Sequence, residues 1–292
     1  MHLVDQIKVD VHGGTLTVAH SGEGPVVLAL HTTTGNHLSW DMLAAQATHV
    51  HLLAPDLRGR GQSSGLPGPY GIDSHLADLA AVLDAVSGGD CGPITVLGHG
   101  SGGALGILLA AAHPDQVGRL VLVDARLPSP AEVDSGALTV ELPSVRERLE
   151  ATFGSRAEYY ALARYQPAFA AWTAHIQEYV DYELVGGSGT VRCRTRYAAL
   201  EADALDWIDR GTQVAKALGA LRVPAVFLRA GRGMQAEPQP VVSVETVRWL
   251  AGLVPAARWV SLPDANHYTI INSADHVRQV AAELLGEPGR HE

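Results

Sequence analysis

The sequence is poor in several residue types that usually announce a function. Its only cysteines, Cys91 and Cys193, are too few for a disulfide framework and do not stand at C-x-x-C spacing, so redox and zinc readings gain no support and two free thiols are expected. Lysine is almost missing: Lys8 and Lys216 are the only two among 21 basic residues, and the formal net charge is −10. Phosphate backbones and anionic membrane surfaces are gripped through Lys and Arg, so neither a nucleic acid nor a membrane is an expected partner. No apolar run of roughly 18 residues occurs, and Met1 to Asp10 lacks the charged-then-apolar layout of a leader, which makes a soluble, cytoplasmic protein the expectation. Internal repeats and low-complexity tracts are also missing.

What is present is enough apolar residue, 47% of 292, to bury a large core in one α/β domain carrying an insertion. Residues 7–20 alternate around His12-Gly13-Gly14 like an opening hairpin, and short apolar runs at 25–31 and 49–56 read as further strands. Apolar residues at 76, 79, 80, 83 and 86 have a helical period. A strand at 94–97, a glycine-rich turn, a helix over 101–112 and a strand at 120–123 follow. Strand character returns at 223–230 and 258–262, with helices near 243–253 and 274–285. This alternation predicts a mostly parallel, twisted sheet flanked by helices, with ligands at the carboxyl ends of the strands. Residues 127–215 break the rhythm with helices near 144–153, 155–165 and 168–184 and a turn at Gly186-Gly187-Ser188-Gly189. A core of 1–126 plus 216–292 and an inserted helical cap of 127–215 are expected.

The segment Gly98-His99-Gly100-Ser101-Gly102-Gly103 supports two chemistries. As G-x-G-x-x-G it follows a strand, opens a helix and precedes an acidic residue, Asp124, at the end of the next strand, which is the layout of a dinucleotide loop and of an NAD(P)-binding oxidoreductase. As G-x-[nucleophile]-x-G it is a hydrolase elbow with glycine where the nucleophile belongs. A dinucleotide unit usually begins its domain, whereas here about 90 residues of strands and helices come first, with motifs such a unit does not explain.

Those motifs carry a resemblance to the α/β-hydrolase fold family along nearly the whole chain. His31-Thr32-Thr33-Thr34-Gly35-Asn36, with Trp40 following, is similar to the family's His-Gly-x-x-Gly oxyanion turn, with Thr32 in place of a glycine. Pro55-Asp56-Leu57-Arg58-Gly59-Arg60-Gly61-Gln62-Ser63 resembles its P-D-x-R-G-x-G-x-S loop, and Pro263-Asp264-Ala265-Asn266-His267-Tyr268 looks like the late loop that supplies the catalytic histidine. The family's elbow helix often ends at His-Pro, and the placing of His113-Pro114 puts Gly100, not Ser101, at the nucleophile position. Glycine adopts the positive φ required there but brings no attacking atom. An introduced Ser-to-Gly replacement leaving a substrate-trapping form, a natural enzyme with non-covalent chemistry, a non-catalytic binding protein, and a one-residue shift making Ser101 the nucleophile all remain open.

The resemblance implies a base, an acid and an oxyanion hole. His267 is the base. The family's usual acid position reads Ala230-Gly231-Arg232-Gly233 here, without a carboxylate, but some members, pancreatic-type lipases among them, place the acid where this chain has Asp124; Glu237 is the fallback. Backbone N–H groups of Thr33 and Ser101 are expected to form the oxyanion hole. Asp56 and Arg58 read as loop braces. Ten of the 16 aromatic residues fall in 127–215, an enrichment that fits an apolar pocket roof, and Phe169, Trp172, Ile176 and Tyr179 recur at helical spacing. Thr32, Trp40, Trp172 and Tyr268 are the candidate substrate contacts. The expectation is a hydrolase of a small hydrophobic ester or lactone working through a Ser-His-Asp type mechanism, impaired as it stands by Gly100. The alternatives are a natural enzyme of base-assisted elimination, cyclisation or cofactor-free oxygenation, and a binding protein. No cofactor or metal is expected, and the chain is expected to be a monomer or homodimer.

Overall fold

The computed structural model describes residues 3, 5–87, 92–125, 127, 142–166, 169, 171–187, 189–234 and 236–285. Expectations that touch Cys91, Arg126, residues 128–141 and Ser188 lie outside the described residues. Cys193 is a free, buried thiol.

The chain opens with a hairpin of β1 (Asp5–Val11) and β2 (Gly14–Ser21), followed by β3 (Val26–Leu30), α1 (Asp41–Gln46), β4 (His51–Pro55), α2 (Ile72–Ser87), β5 (Ile94–His99), α3 (Ser101–Ala112) and β6 (Val117–Val123). The segment after β6 contains α4 (Leu142–Glu150), β7 (Thr152–Phe153), α5 (Arg156–Ala163), α6 (Ala174–Tyr182), β8 (Leu184–Gly187), β9 (Thr190–Cys193) and α7 (Tyr197–Ala220). The large sheet then resumes with β10 (Ala225–Ala230), α8 (Val244–Leu253), β11 (Arg258–Leu262), α9 (Thr269–Asn272) and α10 (Ala274–Leu285). Its eight strands run in the order β1-β2-β4-β3-β5-β6-β10-β11. The β1–β2 and β2–β4 pairs are antiparallel and every other pair is parallel.

The inner strands are apolar at almost every position because both of their faces are covered. Leu28 and Leu30 of β3, Val96 of β5 and Leu120 and Leu122 of β6 enter one core cluster with α2 and α3. Their neighbours Val27, Ala29, Leu97, Val121 and Val123 point the other way, into a second cluster with α1 and α10. This is the two-residue period of a strand expressed as two separate cores. Strand order changes direction at β3, which sits between β4 and β5, so a crevice opens at the carboxyl ends of β3 and β5.

The inserted segment is not purely helical. The helix anticipated over 168–184 starts at Ala174, where the Thr173 side chain accepts the Ile176 N–H as its cap, and it stops at Tyr182. Beyond it β8 and β9 form a hairpin that continues into a three-stranded antiparallel sheet with β7. Gly186 has φ +118, and a Cβ there would lie 2.2 Å from the Thr190 carbonyl oxygen, so glycine is what lets the two strands close. The long α7 was not anticipated and runs through residue 216. Leu200 near its start packs in the insertion's own apolar cluster while Val214 and Leu218 near its end pack against the main sheet. One continuous helix thereby joins the two cores, and composition changes along it without a break in structure.

Loops at the carboxyl ends of the strands are tied together by buried polar contacts. Asp56, at the end of β4, accepts the His37 and Gln62 N–H groups at 2.9 and 2.8 Å, the His37 ring at 3.0 Å, and the Tyr182 hydroxyl from α6. Arg58 pairs with Asp78 of α2 and donates to the His12 and Pro67 carbonyls. Arg60 reaches Asp203 of α7 at 2.6 Å and donates to the Thr33 carbonyl at 2.9 Å. Burial by itself would raise the Asp203 carboxyl, but Arg60 and His75 overcome it and hold the group ionised below its ordinary range. His31 joins the ends of β3 and β4: its Nδ1 donates to the Thr32 carbonyl at 2.7 Å and its Nε2 accepts the Leu57 N–H at 3.1 Å. That pattern needs the neutral ring, and burial pushes its pKa down to about 4.

Two outcomes follow from these braces. Replacing Arg60 with Met leaves Asp203 buried without its main cation and should cost about 3–5 kcal/mol in urea unfolding; a loss under about 1 kcal/mol would contradict this role. His31, titrating near 6.5 when unfolded and about 4 when folded, contributes stability that is complete above pH 6.5 and lost as pH falls toward 4. The limit is about 3 kcal/mol. Denaturation midpoints between pH 7 and 4 should decline in this window, and the decline should shrink in His31→Asn.

Candidate active site

The glycine turn between β5 and α3 is compact for steric reasons. A Cβ on Gly98 would lie 2.4 Å from the Gly102 carbonyl oxygen, one on Gly102 2.2 Å from the Leu30 carbonyl oxygen, and one on Gly103 2.5 Å from Ala125 Cβ. Gly100 sits at the apex with φ 55 and ψ −121, capping α3, and its N–H donates to the Val123 carbonyl at 3.0 Å. This is a sharp strand-to-helix reversal of the kind that lifts one residue into a crevice.

Across the apex stands His267, in the loop after β11. Its Nδ1 lies 2.7 Å from Asp124 Oδ2, and both side chains are buried. Asp124 follows β6 in a positive-φ conformation (φ 41) that is uncommon outside glycine. The backbone strain is held on both sides, because its N–H donates to the Leu228 carbonyl at 2.7 Å and its Oδ1 accepts the Ala230 N–H at 3.1 Å. The carboxylate is thus fixed by β10 and turned toward the imidazole. His267 Nε2, the remaining ring nitrogen, is buried and has no hydrogen-bond partner among the described residues. With a carboxylate on Nδ1 and an open Nε2, the ring has the arrangement that accepts a proton from a reacting hydroxyl.

Glu237 is placed differently. It is exposed in the loop after β10, where a Cβ on Gly233 would meet its carboxylate at 2.4 Å. Asp124 is the carboxylate in contact with His267.

The other predicted residues fall into two groups. Thr32, Thr33 and Ser101 meet at the crevice. Thr33 Oγ1 donates to Ser101 Oγ at 2.8 Å, tying the turn after β3 to the first turn of α3. A Cβ on Gly100 would lie 2.5 Å from Thr32 Oγ1, 3.1 Å from Thr32 Cβ and 3.1 Å from His267 Cε1. Tyr268 is half-buried, with its ring edge-on to His267 at 5.3 Å, and it packs against the apolar cluster of the inserted segment. Trp40 and Trp172 have packing partners of their own. Trp40 has 0% exposure in the second core cluster, and Trp172 lies under the Arg164 guanidinium at 4.6 Å while its Nε1 donates to Gln177.

One functional neighbour escaped the sequence reading. His99, the residue before the apex, stacks on His267 with centroids 4.4 Å apart and donates from Nε2 to the His267 carbonyl at 2.8 Å. Burial, then the neighbouring His267, push its pKa well below the ordinary histidine value, so a neutral ring backs the His267 ring. The linear motif carried no signal for this contact, because its partner lies 168 positions later in the chain. Among the described residues no group of three or more His, Cys, Asp and Glu side chains is arranged to hold a metal ion, and no helix is long and apolar enough to cross a membrane.

With this geometry in view, known proteins sharpen the assignment. Lipase LipV of Mycobacterium tuberculosis is 38% identical over 164 residues, covering 55% of this chain and 57% of that protein. Lipase 1 of Psychrobacter immobilis is 24% identical over 277 residues, covering 90% of this chain and 78% of its own length. The chain spans little more than half of LipV and 33% of a further relative from Mycobacterium bovis. Among solved structures, E-2-(acetamidomethylene)succinate hydrolase superposes with a TM-score of 0.78 at 22% identity, covering 97% of this chain and 99% of that one, a likeness of fold. The model of the Alpha/beta hydrolase family matches residues 26–283, and the chain belongs to that family.

Proposed function

We propose that this hydrolase acts on a small hydrophobic ester or lactone, with the carbonyl carbon held over the Gly100 apex. The observation that carries the reading is the buried Asp124–His267 pair with its open Nε2, facing the point where an elbow side chain would begin. His267 is the base and Asp124 orients and balances it; the N–H groups of Thr33 and Ser101 form the oxyanion hole, a contribution usually worth a few kcal/mol in the transition state. Arg60 positions that hole through the Thr33 carbonyl. The segment between β6 and β10 serves as the cap, a role supported by the packing of Tyr268 against it and by the Tyr182 hydroxyl on Asp56. Tyr268 and Thr32 are the proposed substrate contacts.

Gly100 is read as native to this site. Rotating Thr32 about χ1 would move its hydroxyl aside but not its Cβ, which would stay 3.1 Å from any new Cβ at residue 100. Thr32 and Gly100 therefore fit each other, whereas a serine removed from an unaltered elbow would leave neighbours that still accommodate it. With no side chain at 100, the hydroxyl that His267 deprotonates comes from elsewhere, and a water poised on Nε2 is the minimal source. A base without an attacking oxygen would instead serve elimination or cyclisation; incorporation of ¹⁸O from labelled water into the product acid separates the two.

Turnover of short aryl esters and lactones should fall by at least about 100-fold in His267→Ala. Gly100→Ser alone is overpacked and should lose about 1–3 kcal/mol of stability with little gain in rate. Thr32→Gly combined with Gly100→Ser should recover the stability and raise ester turnover above the parent. If neither the parent nor the double variant cleaves any ester or lactone, the hydrolytic assignment is wrong.

A further inference from the structure

Three hydroxyls stand at the crevice, and they are not equivalent. Thr33 Oγ1 and Ser101 Oγ are hydrogen-bonded to each other at 2.8 Å. Thr32 Oγ1 has no hydrogen-bond partner among the described residues. It lies 2.5 Å from the Cβ position of residue 100, the same point that His267 Cε1 approaches to 3.1 Å. The Thr32 backbone is pinned, since its carbonyl accepts both the Gly35 N–H at 2.9 Å and His31 Nδ1 at 2.7 Å. A β-branched side chain on a fixed backbone has few rotamers, so the hydroxyl is confined to a small number of positions.

We propose that Thr32 is the nucleophile of this site, its hydroxyl standing where the elbow side chain of residue 100 would stand; the inference rests on the assignment of His267 and Asp124 as the base pair. Thr32 Oγ1 bonds to the substrate carbonyl carbon as its proton passes to His267 Nε2. Breaking the carbon–oxygen bond to the leaving alcohol returns that proton to the departing oxygen and leaves an acyl-Thr32. Water then attacks the acyl carbon, gives a proton to Nε2, and the acid is released as the Thr32 oxygen takes the proton back. In the free protein Thr32 Oγ1 and Nε2 are not yet hydrogen-bonded, a gap of the kind that substrate binding commonly closes. The arrangement accounts together for a threonine where the family's oxyanion turn has glycine and a glycine at the elbow.

A fluorophosphonate probe tests this directly, because its phosphorus takes a bond from an activated hydroxyl as fluoride leaves. Intact-mass analysis and peptide mapping of the probe-treated protein should find one adduct, on Thr32. The adduct should persist in Thr32→Ser, vanish in Thr32→Val, and form at least about 100-fold more slowly in His267→Ala. Thr32→Val keeps the side-chain shape, and an unchanged melting temperature shows that it folds. No adduct in the parent, an adduct on Ser101, or undiminished labelling of Thr32→Val overturns the proposal. Ester cleavage that needs His267 but is untouched by Thr32→Val would reject Thr32 and leave the water route standing. An adduct on Thr32 in a protein that cleaves no ester or lactone would reject the hydrolase reading and leave the nucleophile.

Discussion

The site depends on one close backbone approach, that of α3 to β3. The first turn of α3 lies against the end of β3 so tightly that no side chain fits between Gly102 and the Leu30 carbonyl. Residues 31–33 leave β3 at that contact, and residue 100 enters α3 from it. The separation between Thr32 and the Gly100 apex is therefore set by backbone packing in two covered sheet strands, not by loop conformation. A crevice built this way keeps its geometry to the tolerance of the core, which is what positional catalysis requires.

Electrostatics around the crevice follow one pattern: each buried carboxylate has several donors. Asp56 has His37, Gln62 and Tyr182; Asp203 has Arg60, His75 and the Gly71 N–H; Asp124 has His267 and the Ala230 N–H. Each pairing joins different strands or joins the core to the inserted segment, so satisfying a charge also fixes a loop. His31 and His99 are kept neutral by burial on either side of the site. His37 and His75 are also paired with carboxylates, but among the 14 histidines of the sequence it is His267 that combines a carboxylate partner with a ring atom 3.1 Å from the Cβ position of residue 100.

Much of the fold was legible because its signals are local. The apolar runs of the inner strands and the glycine spacing of the turn mark a doubly covered sheet, and α3 begins and ends where its glycines and His113-Pro114 place it. The inserted segment was harder: β8 and β9 are short, their pairing depends on Gly186 accepting a close approach, and α7 is shared between two cores. At the site, the contact of Asp124 with His267 was anticipated from its place at the end of β6. The stacking of His99 and the burial of Trp40 were not, because both depend on which elements happen to lie behind the crevice.

Gly100 shows most clearly what a linear motif omits. Read along the chain, a glycine at an elbow is a missing nucleophile, and the threonine some 70 residues earlier is an unrelated departure from a loop pattern. In space the two are a single exchange of volume: the Thr32 side chain occupies what a residue at 100 would need, at a point that His267 Cε1 approaches to 3.1 Å. A glycine that only removed a reactive group would place no demand on residue 32. The fit between them moves the question from what was lost at the apex to what now stands beside it, and the group nearest the Cβ position of residue 100 is the Thr32 hydroxyl, at 2.5 Å.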